Sequence, residues 1–150
     1  MRHAYIRWMA AMLVLGIAAG CQAGGRTEPP APPPGPSRNA DVFPNFQLTA
    51  LDGETVALSK YRGKAVIIDL FATWCPPCRS TIPVLVELQR KYGDRLAVVG
   101  VAYDQGPVRK VRRFAEDMKI NYDLYRGHEE LARYVGLRGI PHMVLLDPQG

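Results

Sequence analysis

VIIDLFATWCPPC, residues 66–78, is the stretch that decides the fold of this chain. Its first half is apolar and rich in β-branched residues, which is typical of a buried β-strand. A short corner follows, and then Cys75 and Cys78 flank two prolines. Pro76 and Pro77 have no backbone N–H to lose in a first helical turn. The stretch therefore predicts a strand that runs into a helix, with Cys75 where the helix begins.

Two cysteines at such a corner are suited to thiol–disulfide chemistry. Unpaired N–H groups and the helix macrodipole favour an anion at a helix N-terminus, so a thiolate at Cys75 is stabilised. Cys78 lies one turn further on and is close enough to attack a mixed disulfide on Cys75. A fixed structural disulfide or half of a zinc site are the alternatives. A structural zinc site normally takes four ligands, and the chain offers no second Cys-x-x-Cys pair.

Composition sets broad limits on the function. A chain of 150 residues has room for one domain and additional segments. The net charge of +5 is modest and gives no indication of a nucleic-acid partner. Three cysteines are too few for a disulfide scaffold, and we expect no metal site.

Residues 1–20 predict an export signal. Arg2 and Arg7 give its first part a positive charge, and the apolar run that follows is short for a membrane span. Small residues directly precede Cys21, as in the lipobox of bacterial lipoproteins. That resemblance implies that Cys21 is acylated and becomes the mature N-terminus, although Ala18 stands where those proteins usually carry Leu. Ordinary secretory cleavage near Gly20 and an uncleaved anchor are the alternatives. All three outcomes export the domain.

Residues 22–40 predict a linker between the acylation site and the folded domain. They contain six prolines and three glycines and show no apolar periodicity. As an extended polyproline-type spacer at ~3.1 Å per residue, the segment reaches at most ~60 Å. A tail without a spacing role is the alternative. The folded domain is then expected over residues 41–150.

Strand and helix patterns alternate along residues 41–150, which predicts an α/β fold with a largely parallel sheet. The chain begins there with a β-hairpin that turns at Asp52-Gly53. The helix after the cysteines is expected to stop at Gly93 and to kink at Pro83. The predicted elements are a hairpin over 46–58, a strand over 65–71, helices over 76–92 and from Pro107, a strand over 96–102, a strand over 122–125, a helix over 129–135 and a strand over 142–147.

These features resemble the thioredoxin-like superfamily, and more closely the membrane-anchored, periplasm-facing thiol–disulfide oxidoreductases of the TlpA/ResA type. The resemblance rests on Trp-Cys-Pro-Pro-Cys at 74–78, on Gly-Ile-Pro at 139–141 and on the segment 43–48, and it covers roughly residues 42–150. It implies a thioredoxin-like fold with a mixed central sheet flanked by helices and an N-terminal β-hairpin. In that family a further strand and helix follow the turn at 147–150. Their absence implies a C-terminally truncated domain with an unpaired sheet edge.

The resemblance also implies roles for three residues. Cys75 is expected to be the exposed nucleophile, and the deeper Cys78 the thiol that resolves the mixed disulfide. Asp69 stands where thioredoxins carry the acidic residue that accepts the proton of the deeper cysteine. Many TlpA-like relatives instead carry Glu three residues after the second cysteine, where this chain has Thr81. For Asp69, a solvated position at a sheet edge is the alternative.

Four further residues are expected to support the active site. Pro141 matches the family's cis proline, which faces the active cysteines and frees the backbone of the preceding residue for an extended substrate. Trp74 is expected to shield the cysteine pair and to contact partners. Pro76 and Pro77 shape the start of the helix.

The function implied is that of an extracytoplasmic thiol–disulfide oxidoreductase that exchanges electrons with partner proteins. The resemblance implies a reductant, in cytochrome c maturation or a similar process, that is fed by a membrane electron donor. The Cys75–Cys78 disulfide would be the redox group, with no other cofactor. We expect the protein on the periplasmic side of a bacterial membrane, held there by a lipid on Cys21.

Two other functions are compatible with some of these residues. A copper-handling or electron-relay module could use Cys75, Cys78, His142 and Met143, which are soft enough ligands for Cu(I). A peroxidase is disfavoured, because a peroxiredoxin-like motif has Thr three residues before its reactive cysteine and this chain has Ala72.

Overall fold

A computed structural model describes residues 42–150. The predicted export signal over 1–20, the linker over 22–40 and the acylation site Cys21 lie outside the described residues. The elements, in chain order, are β1 Gln47–Thr49, β2 Thr55–Ala57, a 3₁₀ turn Leu58–Tyr61, β3 Ala65–Phe71, α1 Pro76–Tyr92, β4 Leu96–Ala102, α2 Val108–Asp117, β5 Asp123–Arg126, α3 Glu129–Tyr134 and β6 His142–Leu146.

The central sheet is mixed, with four strands in the order β5-β4-β3-β6. Strands β3, β4 and β5 are parallel, and β6 pairs antiparallel to β3. The mixed sheet implied by the family resemblance is therefore confirmed, and β6 is the departure from a purely parallel arrangement. The predicted N-terminal hairpin is also present, because β1 pairs antiparallel with β2.

The two faces of β3 are buried by different parts of the fold. Leu70 packs in one cluster with Leu48 of the hairpin, and Phe71 packs in another with Cys78 of α1. Successive side chains of a strand point to opposite faces. Asp69 therefore points to the same side as Phe71, toward the face that α1 covers.

Helix α2 begins slightly later than expected, whereas α1 has its predicted bounds. Pro107 is the N-cap of α2 rather than its first residue, with extended ψ of 138°. Its backbone carbonyl oxygen accepts a hydrogen bond from Lys110 N at 3.0 Å, and this bond closes the first turn of the helix. Helix α1 continues through Pro83 without a break and ends at Tyr92.

The last elements end close to their predicted bounds. Tyr122 precedes β5 instead of beginning it. Helix α3 ends at Tyr134, and Gly136 takes a left-handed conformation with φ of 62° just beyond it. Strand β6 lies at one edge of the sheet, where Leu145 is 76% exposed. Within residues 42–150 no helix has the length and hydropathy needed to cross a bilayer.

Candidate active site

Cys75 and Cys78 are joined by a disulfide bond at the start of α1. Cys75 is the N-cap residue, and the backbone N–H of Cys78 donates a hydrogen bond to Cys75 Sγ at 3.3 Å. Because Pro76 and Pro77 have no N–H, this amide is the first donor that the helix can offer. The first free N–H group of α1 is therefore directed at Cys75 Sγ.

The disulfide is less accessible than the sequence indicated. We expected an exposed Cys75, but in the oxidised protein Cys75 is only 3% exposed and Cys78 is 0% exposed. The expectation for Cys75 is therefore wrong in this state, although Cys78 is the deeper of the two. The reason is that the loop before β6 covers Cys75, whose Sγ lies 3.8 Å from the Ile140 carbonyl oxygen. Trp74, in contrast, is 62% exposed beside the pair.

The loop between α3 and β6 completes this side of the site. Its Ile140–Pro141 peptide bond is cis, as the resemblance implied. Ile140 packs against the cluster that contains both cysteines. His142, which follows, is opposite Leu70 in the sheet and so lies on the face away from α1. It therefore does not share a face with Asp69.

Asp69 is completely buried in the interior strand β3. Neither of its carboxylate oxygens makes a hydrogen bond to a residue in the described part of the chain. Burial disfavours the charged form and raises the pKa of the Asp69 carboxyl to about 6. The alternative of a solvated position at a sheet edge is therefore wrong. A carboxyl of this kind can exchange a proton near neutral pH, which is the property required of a general base.

Asp104 fastens the loop that carries the cysteines, and sequence reasoning did not identify it. Its Oδ2 accepts a hydrogen bond from Thr73 N at 2.8 Å, and its Oδ1 accepts one from the Thr73 hydroxyl at 2.5 Å. Lys110 Nζ lies 3.3 Å from the same Oδ1. The Asp104 side chain is only 4% exposed. A polar residue just past β4 was the available signal, because parallel strands β3 and β4 end side by side.

Other candidate groups are accounted for by local contacts. The Thr81 hydroxyl donates a hydrogen bond to the Cys78 carbonyl oxygen at 2.9 Å. A threonine hydroxyl does not ionise in the way a carboxyl does, so Thr81 cannot replace a glutamate as an acid or base. Among residues 42–150, no three His, Cys, Asp or Glu side chains come close enough to hold a metal ion. The described part of the chain therefore contains no cluster of these residue types that would support the copper alternative.

Fold and site together define a thioredoxin-like protein with a disulfide at the helix N-terminus. A family profile described as AhpC/TSA family matches residues 40–150. The chain belongs to this AhpC/TSA family, within which it is a thioredoxin-like protein of the TlpA/ResA type.

Its relatives agree with this assignment. The chain is 32% identical over 109 residues to the thioredoxin-like protein YneN of Bacillus subtilis (strain 168), covering 71% of this chain and 64% of that protein. It is 30% identical over 110 residues to the thiol-disulfide oxidoreductase ResA of Bacillus thuringiensis subsp. konkukian (strain 97-27), covering 71% of this chain and 62% of that one. The chain thus spans somewhat less than two thirds of these curated relatives.

A solved structure shows the same fold. The crystal structure of a thiol:disulfide interchange protein of the thioredoxin family from Chlorobium tepidum TLS is 33% identical, with a TM-score of 0.63. The match covers 74% of this chain and 83% of that chain. The thioredoxin-like fold is therefore confirmed.

Proposed function

We propose that this chain is a thiol–disulfide oxidoreductase that passes two electrons between its Cys75–Cys78 pair and a disulfide of a partner protein. The observation that carries the proposal is the disulfide at the N-terminus of α1, with a buried carboxyl on the strand beneath that helix. The names of the relatives, an oxidoreductase and an interchange protein that act on thiols and disulfides, support it.

The reaction begins from the reduced dithiol. The Cys75 thiolate, stabilised by the Cys78 N–H, attacks one sulfur of the partner's disulfide. A new disulfide between Cys75 and the partner forms, the partner's own S–S bond breaks, and its leaving thiolate takes up a proton. The Cys78 thiolate then attacks Cys75 Sγ, the bond between Cys75 and the partner breaks, and the second partner thiolate takes up a proton in turn. The chain ends oxidised and the partner gains two electrons and two protons.

Asp69 is the proposed acceptor of the Cys78 proton. Cys78 must lose its proton before it can attack, and it is buried on the face of the sheet to which Asp69 points. A carboxyl with a pKa of about 6 is mostly ionised at neutral pH and still basic enough to receive a proton. The neutral acid that results is the form that a buried site favours.

The direction and the cellular setting are also part of the proposal. We assign the protein a reducing role outside the cytoplasm, in cytochrome c maturation or a similar process, with a dithiol donor in the membrane that regenerates it. The leader over 1–20 and the small residues before Cys21 support export and lipid attachment. The membrane would then hold the domain at the end of its Pro-rich linker.

Trapping of the mixed disulfide tests this function. The reduced full chain is mixed with a small disulfide-bonded test protein, and the thiols released are counted. Wild type should release two thiols per chain. Cys78→Ser should stop as a covalent one-to-one complex that added dithiol resolves, and Cys75→Ser should form no complex.

Cys21→Ser is the matched control, because it removes the cysteine outside the pair. It should behave like wild type in this assay. A Cys75→Ser variant that still reduces the test protein would overturn the assignment of the nucleophile. Failure of all four proteins to exchange thiols would overturn the function.

A further inference from the structure

Helix α2 carries its charged residues in an order that does not stabilise the helix. Its first six residues include four cations and no acidic residue, and its last two residues are acidic. The helix macrodipole favours the opposite order, with anions at the N-terminus and cations at the C-terminus. Arg109 and Arg113 are also four residues apart, a spacing at which like charges repel each other. The cations of α2 therefore need an explanation other than the stability of the helix.

The other two α-helices in the described part of the chain carry their charges in the favourable order. Helix α1 has Arg90 and Lys91 in its last turn. Helix α3 has Glu129 and Glu130 in its first turn and Arg133 in its last turn. Helix α2 is thus the exception among the three, which indicates that its cations serve a contact outside the helix.

The charged first half of α2 lies beside the loop that carries the cysteines. Lys110 Nζ lies 3.3 Å from Asp104 Oδ1. The same carboxylate accepts two hydrogen bonds from Thr73, which stands two residues before Cys75. Phe114, one turn after Lys110, is buried in one cluster with both cysteines. A continuous set of contacts therefore joins α2 to the corner that carries the disulfide.

Arg79 adds a cation on the α1 side of the same corner. It follows Cys78 directly, and its guanidinium carbon lies 5.2 Å from the centre of the Phe114 ring of α2. Its Nη1 donates a hydrogen bond to the Thr73 carbonyl oxygen at 3.4 Å. The positive charge of Arg79 is thus held between α2 and the loop before the disulfide, where it remains exposed.

Three cations around this corner form no salt bridge with any residue in the described part of the chain. They are Arg79, Arg109 and Arg113, all exposed, and together they are called the basic surface here. Arg112 is excluded from it, because its guanidinium donates a hydrogen bond to the Leu51 carbonyl oxygen at 2.7 Å, on the hairpin side of α2. The basic surface therefore offers positive charge that the described residues leave unneutralised.

We propose that the basic surface binds acidic side chains of the partner protein, and that preferred partners carry Asp or Glu beside the disulfide that exchanges with Cys75. The inference rests on the proposed function and adds the class of partner. Trp74 is 62% exposed at the same corner, so an approaching protein meets an apolar contact and fixed positive charges together. An anionic membrane is the less favourable occupant, because a bilayer on these cations would cover the corner that a partner's disulfide must reach.

The test compares three disulfide-bonded peptides that share one ring and differ in their flanks, which are three Glu, three Gln or three Lys. The reduced full chain with Cys21→Ser reduces each peptide in a single turnover. Each rate is divided by the rate with dithiothreitol, which corrects for the reactivity of the peptide itself. At an ionic strength of about 20 mM the Glu peptide should react about 3–10-fold faster than the Gln peptide, and the Lys peptide more slowly. Salt at about 0.5 M should reduce these differences to less than about twofold.

Arg109→Gln combined with Arg113→Gln removes two charges of the basic surface. It should lower the ratio of the Glu-peptide rate to the Gln-peptide rate to less than about half of the starting value. Lys91→Gln combined with Arg95→Gln is the matched control. It removes the same charge from two exposed cations near the C-terminal end of α1, neither of which forms a salt bridge in the described part of the chain. The control should keep the starting ratio.

Each contrary result has a distinct meaning. An unchanged ratio in the Arg109→Gln, Arg113→Gln variant, folded by thermal melting, would contradict the proposal, as would equal rates for the Glu and Gln peptides at low salt. An equal fall in both double variants would mean that net charge rather than the basic surface sets the preference. Weaker sedimentation of the variant with phosphatidylglycerol vesicles, with an unchanged peptide ratio, would assign the surface to a membrane instead. If no peptide is reduced at all, the proposed function itself fails.

Discussion

At the scale of single residues, Asp69 should make the stability of the fold depend on pH. Burial raises the pKa of its carboxyl to about 6 from an ordinary value of 3.8, so the folded chain binds this proton more tightly than the unfolded chain. The free energy of unfolding should therefore fall as the pH rises from about 4 to about 6. Above that range the full penalty of about 3 kcal/mol remains.

Asp69→Asn replaces the ionisable group by a neutral one of the same shape. We expect the variant to lose this pH dependence and to be more stable than wild type near pH 7, by about 1–3 kcal/mol. Denaturant unfolding of the oxidised chain at about pH 4 and about pH 7 measures both quantities. The exposed carboxylate Asp94, changed to Asn, is the control and should keep the wild-type slope. A persistent slope in Asp69→Asn would contradict the buried, unpaired carboxyl.

Asp104 is expected to contribute more to stability than its ion pair suggests. Asp104→Ala leaves the backbone N–H and the hydroxyl of Thr73 without their acceptor, in a loop where Thr73 is 5% exposed. We expect a loss of about 1–3 kcal/mol in the free energy of unfolding. Lys110→Met removes only the half-exposed partner and should cost less than about 1 kcal/mol. Equal losses in the two variants would mean that the Thr73 contacts contribute little.

The residues that sequence reasoning found are those that local spacing identifies. Cys75 and Cys78 follow from one motif, and the role of Asp69 follows from the family resemblance at a fixed distance before that motif. Asp104 was missed because its contacts with Thr73 are made across the sheet. Those contacts depend on the register of β3 with β4, which no short pattern encodes.

At the scale of elements, β3 and β4 have the bounds that their apolar runs predicted. Long runs of β-branched residues leave little choice of conformation once both faces are buried. The start of α2 was misplaced by one residue. Proline accommodates both the N-cap and the first helical position, since its φ near −65° suits either, and sequence alone does not separate the two.

Gly100 of β4 has no room for a larger side chain. A Cβ atom there would lie 2.5 Å from Leu124 Cδ2 and 3.2 Å from Phe71 Cε1. We therefore expect Gly100→Ala to lower the free energy of unfolding by about 1–3 kcal/mol, because the neighbouring side chains must move. Gly139→Ala is the control, since a Cβ atom at Gly139 would meet nothing within 4 Å. Thermal and denaturant unfolding compare the two, and equal stabilities would contradict the close packing at Gly100.

At the scale of the whole molecule, hydrogen bonds join the segment between the hairpin and β3 to distant parts of the fold. Tyr61 shares hydrogen bonds with Asp123 and with Tyr125 of β5. Gly63 N donates to the Pro148 carbonyl oxygen at 2.9 Å, which ties the entry to β3 to the turn after β6. These contacts lie before the start of β3, at the opposite end of that strand from the corner that carries the cysteines. The Asp104 contacts to Thr73 are the ones that hold the corner itself.

The reduction potential of the Cys75–Cys78 pair tests the proposed role most directly. The full chain is equilibrated in redox buffers of known potential, and the exposed Trp74 beside the pair reports the state by fluorescence. A reductant fed by a donor should have a potential near that of thioredoxin, about −270 mV. A value near about −120 mV would contradict the reducing role and mark a disulfide-forming oxidant. A pair that stays oxidised well below about −300 mV would be a structural disulfide and would contradict the function itself.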